Sequence, residues 1–150
     1  MMDINIREAC EDDLAEVLLL FSQPDVDDGD GLDDDQAKAL FRRMQQYPSY
    51  KLYVALSEGK ILGTYSLLIM DNLPHMGCPS SVIENVAVSP DHRRQGIGRK
   101  MMEHAVDVSG GAGCYKITLS SDLKRDAAHG LYDSLGFERH GYSFRLGLNH

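Results

Sequence analysis

The amino-acid sequence predicts a mixed α/β (α+β) domain in which helices flank one sheet. Three observations carry this. Apolar residues alternate in short runs such as "YKLYVAL" and "YSFRLGL"; they recur at helical spacing in longer runs such as "EDDLAEVLLLF"; and clusters of Gly, Pro and Asp punctuate the boundaries between runs. A chain of 150 residues, 43% hydrophobic and 25% charged, is long and apolar enough to bury one core, so residues 1–150 are read as a single domain.

In chain order, "INIREA" alternates and predicts a strand, and "EDDLAEVLLLF" places Leu14, Val17, Leu18 and Phe21 on one helical face behind acidic residues. The Asp- and Gly-rich stretch that follows predicts a loop. It leads into a second helix with Ala37, Leu40, Phe41 and Met44 on one face, where Asp33 to Asp35 suit the positive N-terminal end. "YKLYVAL" and "ILGTYSLLIM" flank the turn "SEGK" and predict a hairpin. "SSVIENVAV" is a further β-branched run, and "SPDHRRQGIG" leads from it into a helix with Ile97, Met101, Ala105 and Val108 on one face. Gly110, Gly111 and Gly113 are expected to stop that helix. "YKITLS" predicts a strand and "RDAAHGLYDSL" a helix. "YSFRLGL" predicts a last strand with Tyr142, Phe144, Leu146 and Leu148 on one face. The order is β-α-α-β-β-β-α-β-α-β, without internal repeats.

Composition narrows the function. Asp and Glu outnumber Lys and Arg by 23 to 15, for a formal net charge of −8, which argues against nucleic acid as a partner. Cys10, Cys78 and Cys114 are odd in number and lack metal-ligand spacing, so reduced thiols and no metal site are expected. "MMDINIREAC" has no apolar leader, and no run approaches 18 consecutive apolar residues. A cytoplasmic protein that does not enter membranes is the expectation.

Against that acidic background, "DHRRQGIGRK" gathers Arg93, Arg94, Arg99 and Lys100 around Gly96 and Gly98. A strand, a glycine turn and a helix start present backbone N–H groups that the helix itself leaves unbonded, and the helix dipole adds to their pull on an anion. Glycines let the anion approach the backbone, and arginine binds phosphate oxygens in pairs. The spacing is neither a P-loop nor a dinucleotide fingerprint, and a solvated basic helix start is the competing reading.

"VIENVAVSPDHRRQGIGRKMMEHA" resembles the acetyl-CoA-binding motif of the GNAT N-acetyltransferase superfamily, [QR]-x-x-G-x-[GA] after a strand, here Arg93, Gly96 and Gly98. "AAHGLYDSLGF" resembles that family's last helix and its Tyr-x-x-x-Gly-Phe ending, and the element order over nearly the whole chain is also the family's. The resemblance implies a central, mostly antiparallel sheet flanked by helices, with acetyl-CoA as acetyl donor. It places the cofactor's pyrophosphate at Arg93, Arg94, Gln95, Gly96, Ile97, Gly98, Arg99 and Lys100. A bulge in the preceding strand is implied too, freeing amides of Val86, Ala87 and Val88 for the pantetheine and thioester.

Acetyl transfer to an amine needs a base for the ammonium and an acid for the departing thiolate. In a regular strand Glu84 shares a face with Val82 and Val86, whose apolar character would favour a basic carboxylate. An exposed strand carboxylate is the alternative, and the family resemblance favours the base, acting directly or through a water. Tyr132 is the expected acid by the same resemblance, against a plain core aromatic. His129, three residues earlier on the same side of the helix, either orients cofactor or substrate or caps a packing face.

The acceptor is expected to be the primary amine of a small molecule. Parts of the chain resemble aminoalkylphosphonate and glucosamine-6-phosphate N-acetyltransferases, so Ser121, Lys124 and Arg125 are assigned to a phosphorus oxyanion on that amine, in competition with an ordinary charged helix entrance. The run Asp25 to Asp35 selects substrate, binds a cation or is a solvated loop; its spacing is not that of an EF-hand. His75 and Cys78 lie in a connecting loop and do not define a metal site by themselves. Two rivals stand beside this reading: an acetyltransferase acting on protein N-termini or lysines, and a coenzyme A-binding sensor without turnover. The final strand is a candidate surface for a homodimer.

Overall fold

A computed structural model describes residues 2–24, 26 and 31–148. The elements in chain order are β1 (Asn5–Glu8), α1 (Leu14–Phe21), α2 (Asp34–Met44), β2 (Tyr50–Ser57), β3 (Lys60–Met70), β4 (Ser80–Val88), α3 (Ile97–Gly111), β5 (Ile117–Leu119) and α4 (Asp126–Ser134). The five strands form one sheet in the order β1-β2-β3-β4-β5, antiparallel except for the last pair, in which β5 runs parallel to β4. A parallel neighbour needs a crossover, and α3 supplies it.

Local chemistry accounts for most boundaries. Glu58 and Gly59 both take positive φ, 52° and 76°, between the paired Ser57 and Lys60, a two-residue turn whose twist matches that of its strands. Asp33 caps α2 by accepting from the Gln36 amide at 2.8 Å, while Gln36 Oε1 accepts from the Asp33 amide at 3.0 Å. Ahead of α1, the buried Asp13 accepts two bonds from Arg7, at 2.7 and 3.0 Å, and one from the Cys10 amide at 2.8 Å. The Arg7 bond holds its carboxyl down at about 2.

The chain divides into two units, Met1–Leu119 and Ser120–His150. In the first, alternate strand residues feed two cores. Leu52, Val54, Ile61 and Ala87 pack with Leu14, Val17 and Leu20 of α1 and Ala37 and Phe41 of α2. Residues of opposite parity meet α3: a Cβ on Gly63 would lie 2.8 Å from Ile97 and 3.1 Å from the Met101 sulfur, so this position must be bare for α3 to pack so close to β3. On the same side the Tyr65 hydroxyl and His104 Nδ1 share a hydrogen bond of 2.7 Å, and the Tyr53 ring stacks on that of Tyr65. Burial raises the Tyr65 phenol and lowers the His104 imidazole, so both stay neutral and the bond is between uncharged partners.

Three expectations are corrected. The α1 face is rotated: Leu20 is buried with Leu14 and Val17 against the core of β2, β3 and α2, while Leu18 and Phe21 are only partly covered. Gly110 and Gly111 do not stop α3, which runs through both and ends ahead of Gly113 at φ 80°. Among the described residues, the last predicted strand is absent. Residues 142–148 join no ladder, and Tyr142, Phe144, Leu146 and Leu148 are all exposed. Alternation encodes a face, but a strand exists only when another backbone bonds to it. Residues 25 and 27–30 of the Asp25 to Asp35 run lie outside the described residues; Asp33 caps α2, and Asp34 and Asp35 lie in its first turn. Among the described residues, no helix is long and apolar enough to cross a membrane.

Candidate functional site

The centre of the first unit is a break in β4. Glu84 pairs with Ser66 and Ala87 with Thr64, so Asn85 and Val86 together face the single residue Tyr65. Two residues against one make a β-bulge, and Asn85 takes the left-handed conformation, φ 54°, that asparagine tolerates better than most side chains. The bulge reverses the alternation beyond it: Glu84 shares a face with Ala87, not with Val86. The expectation of a regular strand with Glu84 among apolar neighbours is therefore corrected, and Glu84 is exposed.

On its other edge β4 pairs with β5 only from Ser81 to Ile83, against Ile117 to Leu119. Its ladder to β3 continues to Val88. Residues 84–88 thus have no partner strand on the β5 side among the described residues. A polar, extended ligand can pair there with the backbone as a strand would.

That free edge leads into the cationic turn. Pro90–His92 form a single tight turn, closed by the His92 amide on the Ser89 carbonyl at 3.0 Å. Arg94 and Gly96 then both take positive φ, 63° and 85°. Gly96 is the N-cap of α3; nothing lies within 4 Å of where its Cβ would stand, so its requirement is conformational. Ile97 is buried and anchors the helix start, Gly98 is half-buried, and Arg93, Arg94, Gln95, Arg99 and Lys100 are exposed. The first turn of α3 holds no acid, unlike that of α2 with Asp34 and Asp35. A helix start lined with cations rather than carboxylates leaves its dipole to be met by an anion from outside.

Gln23, which sequence reasoning passed over, ties these parts together. Its side chain is buried and fully bonded: Nε2 donates to the carbonyls of Leu20, at 2.8 Å, and Val88, at 3.0 Å, and Oε1 accepts from Arg93 Nη2 at 2.5 Å. One amide thus links the end of α1, the end of β4 and the turn. A glutamine two residues past a helix carries no signal of this in sequence. The bulge was implied by the family resemblance, and the residues themselves carry one local signal of it, an asparagine within a β-branched run.

The second unit is described by itself. Its helix α4 ends with the Phe137 amide on the Tyr132 carbonyl, 3.0 Å, the Gly136 amide on the Asp133 carbonyl, 3.1 Å, and Gly136 at φ 89°. This is a Schellman cap, and its apolar contact is Tyr132 against Phe137, 5.9 Å between ring centres. The Tyr-x-x-x-Gly-Phe pattern is thereby explained as a helix stop. Tyr132 is buried, and burial raises its phenol above the usual value against a smaller opposing effect of Arg125. His129 bonds the Asp122 carbonyl through Nε2 at 2.8 Å, closing the loop before α4. In that loop Lys124 is exposed, Arg125 is the N-cap residue of α4, and the Ser121 hydroxyl is buried without a hydrogen-bond partner. Among the described residues, no three His, Cys, Asp or Glu side chains converge as metal ligands. A separate hollow of about 260 Å³ at the end of α2, lined by Glu8, Phe41, Met44 and Tyr50 among others, contains none of the predicted site residues.

A sheet whose parallel ladder gives out along a bulged strand, which itself runs on into a cationic helix start, has the shape and charge to suit an extended ligand ending in an anion. The family follows from comparison with known proteins. Residues 15–137 match the Acetyltransferase (GNAT) family, and the chain belongs to it. It is similar to glucosamine 6-phosphate N-acetyltransferase of Trypanosoma brucei brucei, 33% identical over 98 residues, 65% of each chain. It is also similar to the [ribosomal protein bS18]-alanine N-acetyltransferase of Escherichia coli K12, 43% identical over 53 residues, 35% of this chain and 36% of that one. The matched stretches thus span less than two thirds of these relatives' own lengths. Among solved structures, a protein from Agrobacterium tumefaciens str. C58 superposes with a TM-score of 0.89 at 32% identity, covering 96% of this chain and 99% of that one.

Proposed function

We propose that the chain is an acetyl-CoA-dependent N-acetyltransferase that acetylates the primary amine of a small molecule, by direct transfer with both substrates bound. The observation that carries this reading is the run from the unpaired, bulged edge of β4 into the glycine-bent turn before α3. An amide-bearing arm that ends in a pyrophosphate is complementary to both parts in sequence. When bound, acetyl-CoA supplies the activated acetyl group as a thioester. Residues 93–100 then hold the pyrophosphate and the backbone of Val86, Ala87 and Val88 aligns the arm; the Val88 carbonyl is already fixed by Gln23.

Glu84 takes the proton of the incoming ammonium, directly or through a water, and its exposure keeps it within reach of a diffusing amine. Tyr132 protonates the departing thiolate; a phenol raised by burial is in its protonated form at neutral pH, as a donor must be. Holding both reactants together supplies much of the rate, which suits a site with few chemical side chains. The buried, unpartnered Ser121 hydroxyl beside Lys124 and Arg125 supports an oxyanion on the acceptor, as in the amino-sugar phosphate named for one relative. The match to a ribosomal-protein acetyltransferase keeps a protein N-terminus as the second reading.

The test is acetyl-CoA-dependent thiol release over a panel of aminoalkylphosphonates, amino-sugar phosphates, polyamines and an alanine-ended peptide. Saturable release with a small amine is expected. Release with the peptide alone moves the assignment to protein acetylation. Tight acetyl-CoA binding with no amine-dependent release overturns the enzyme reading in favour of a sensor.

A further inference from the structure

We propose that Tyr65 and His104 are positioning residues: their hydrogen bond fixes α3 in register along β3, and with it the span between the two halves of the cofactor site. This rests on the acetyl-CoA reading above. The two halves belong to different elements, the bulge amides to β4 and the cationic turn to the start of α3. A ligand that engages both must find them at one separation, and the gain from joining its two parts is lost when the separation is wrong.

Apolar packing sets that separation only loosely. The buried face of α3 is Ile97, Met101, Met102, Ala105 and Ser109, and methionine is unbranched and adapts to a shifted neighbour. Gly63 opposite them is bare, so β3 offers no side chain there to lock the helix against sliding. Hydrogen bonds are short and directional, and buried ones specify a single arrangement. Two cross this interface: the Tyr65 hydroxyl to His104 Nδ1 at 2.7 Å, and Ser81 Oγ to Ser109 Oγ at 2.8 Å. The Ser81 bond holds the last turn of α3 to β4. The Tyr65 bond is the one placed to set the span, because Tyr65 is the residue that faces Asn85 and Val86 across the bulge. His104 stands about two helical turns, or ~10 Å, beyond the first residue of α3. The Tyr53 ring lies 5.2 Å from that of Tyr65 and 4.8 Å from that of His104, restraining both partners. Tyr65 is wholly buried, so water does not replace its bond if the helix slides.

The test compares the full chain with Tyr65→Phe and His104→Leu, by calorimetric affinity for acetyl-CoA and by ligand-observed NMR titration of its two parts, 3′-phospho-ADP and pantetheine. Each part needs only its own half of the site. Both variants should therefore bind each part within about twofold of the parent, while acetyl-CoA weakens about fivefold to twentyfold. His104→Asn keeps a bonding atom at the place of Nδ1 and should hold acetyl-CoA affinity within about twofold of the parent. His104 is only half-buried, so the two His104 variants carry the test if Tyr65→Phe does not fold. Unchanged acetyl-CoA affinity once the bond is removed, parts that weaken as much as the whole, or His104→Asn as weak as His104→Leu overturns the inference. A parent chain that does not bind acetyl-CoA overturns the reading beneath it, and the inference with it.

Discussion

Replacing Gln23 with methionine keeps the side chain's length and volume and removes its three hydrogen bonds. Two of these satisfy the carbonyls of Leu20 and Val88, and the third restrains the Arg93 guanidinium. A neutral hydrogen bond contributes about 1 kcal/mol net and one to a charged group about 1.5–3. Arg93 is exposed and regains water, which offsets most of the charged contribution, so the loss should be about 2–3 kcal/mol. For a chain of this size that lowers Tm by about 4–10 °C. The functional consequence is separable from the fall in stability. Well below the melt, KM for acetyl-CoA should rise about threefold to tenfold with kcat changed less than twofold, because the amide holds the binding turn and touches no reacting atom. Circular dichroism melts and thiol-release kinetics measure the two effects. A Gln23→Met chain that melts within about 1 °C of the parent and keeps its KM would refute the idea that this amide couples α1, β4 and the turn. A variant that loses kcat instead would make Gln23 part of the chemistry.

Two further outcomes follow from the site and the cap. Glu84→Gln and Tyr132→Phe should each lower kcat about a hundredfold and leave calorimetric acetyl-CoA affinity within twofold; because burial raises the phenol, the donor is lost only as pH climbs through a value above about 10, so no alkaline fall assigned to Tyr132 should appear below that. Full activity of either variant removes the residue from its role. Asp13→Asn should cost on the order of 2 kcal/mol at pH 7, since the folded carboxyl lies near 2 and an unfolded one near 3.9. The depressed value means this stability is fully present above about pH 4 and disappears as pH falls through about 2, so urea titrations should show the two chains converging in acid; a gap independent of pH would contradict it.

Much of the architecture was legible without coordinates because its signals are local. A glycine turn between two alternating runs folds as the hairpin of β2 and β3, and the acids Asp33 to Asp35 mark the start of α2, since each feature acts across a few bonds of backbone. The cationic glycine turn was legible for the same reason: its glycines, its cations and the helix it opens are contiguous in sequence.

What tertiary structure alone decided are the relations between distant segments. That β4 parts from β5 after Ile83 depends on where a parallel crossover lets the ladder end. Which way Glu84 points depends on one extra residue in β4, because a bulge reverses every side chain beyond it. Gln23 acquires its task only when the end of α1 arrives at Val88 and Arg93. The alternation of residues 142–148 was plain in the sequence, yet no strand formed, because hydrophobic period sets the face a segment can bury and says nothing of which backbone will pair with it.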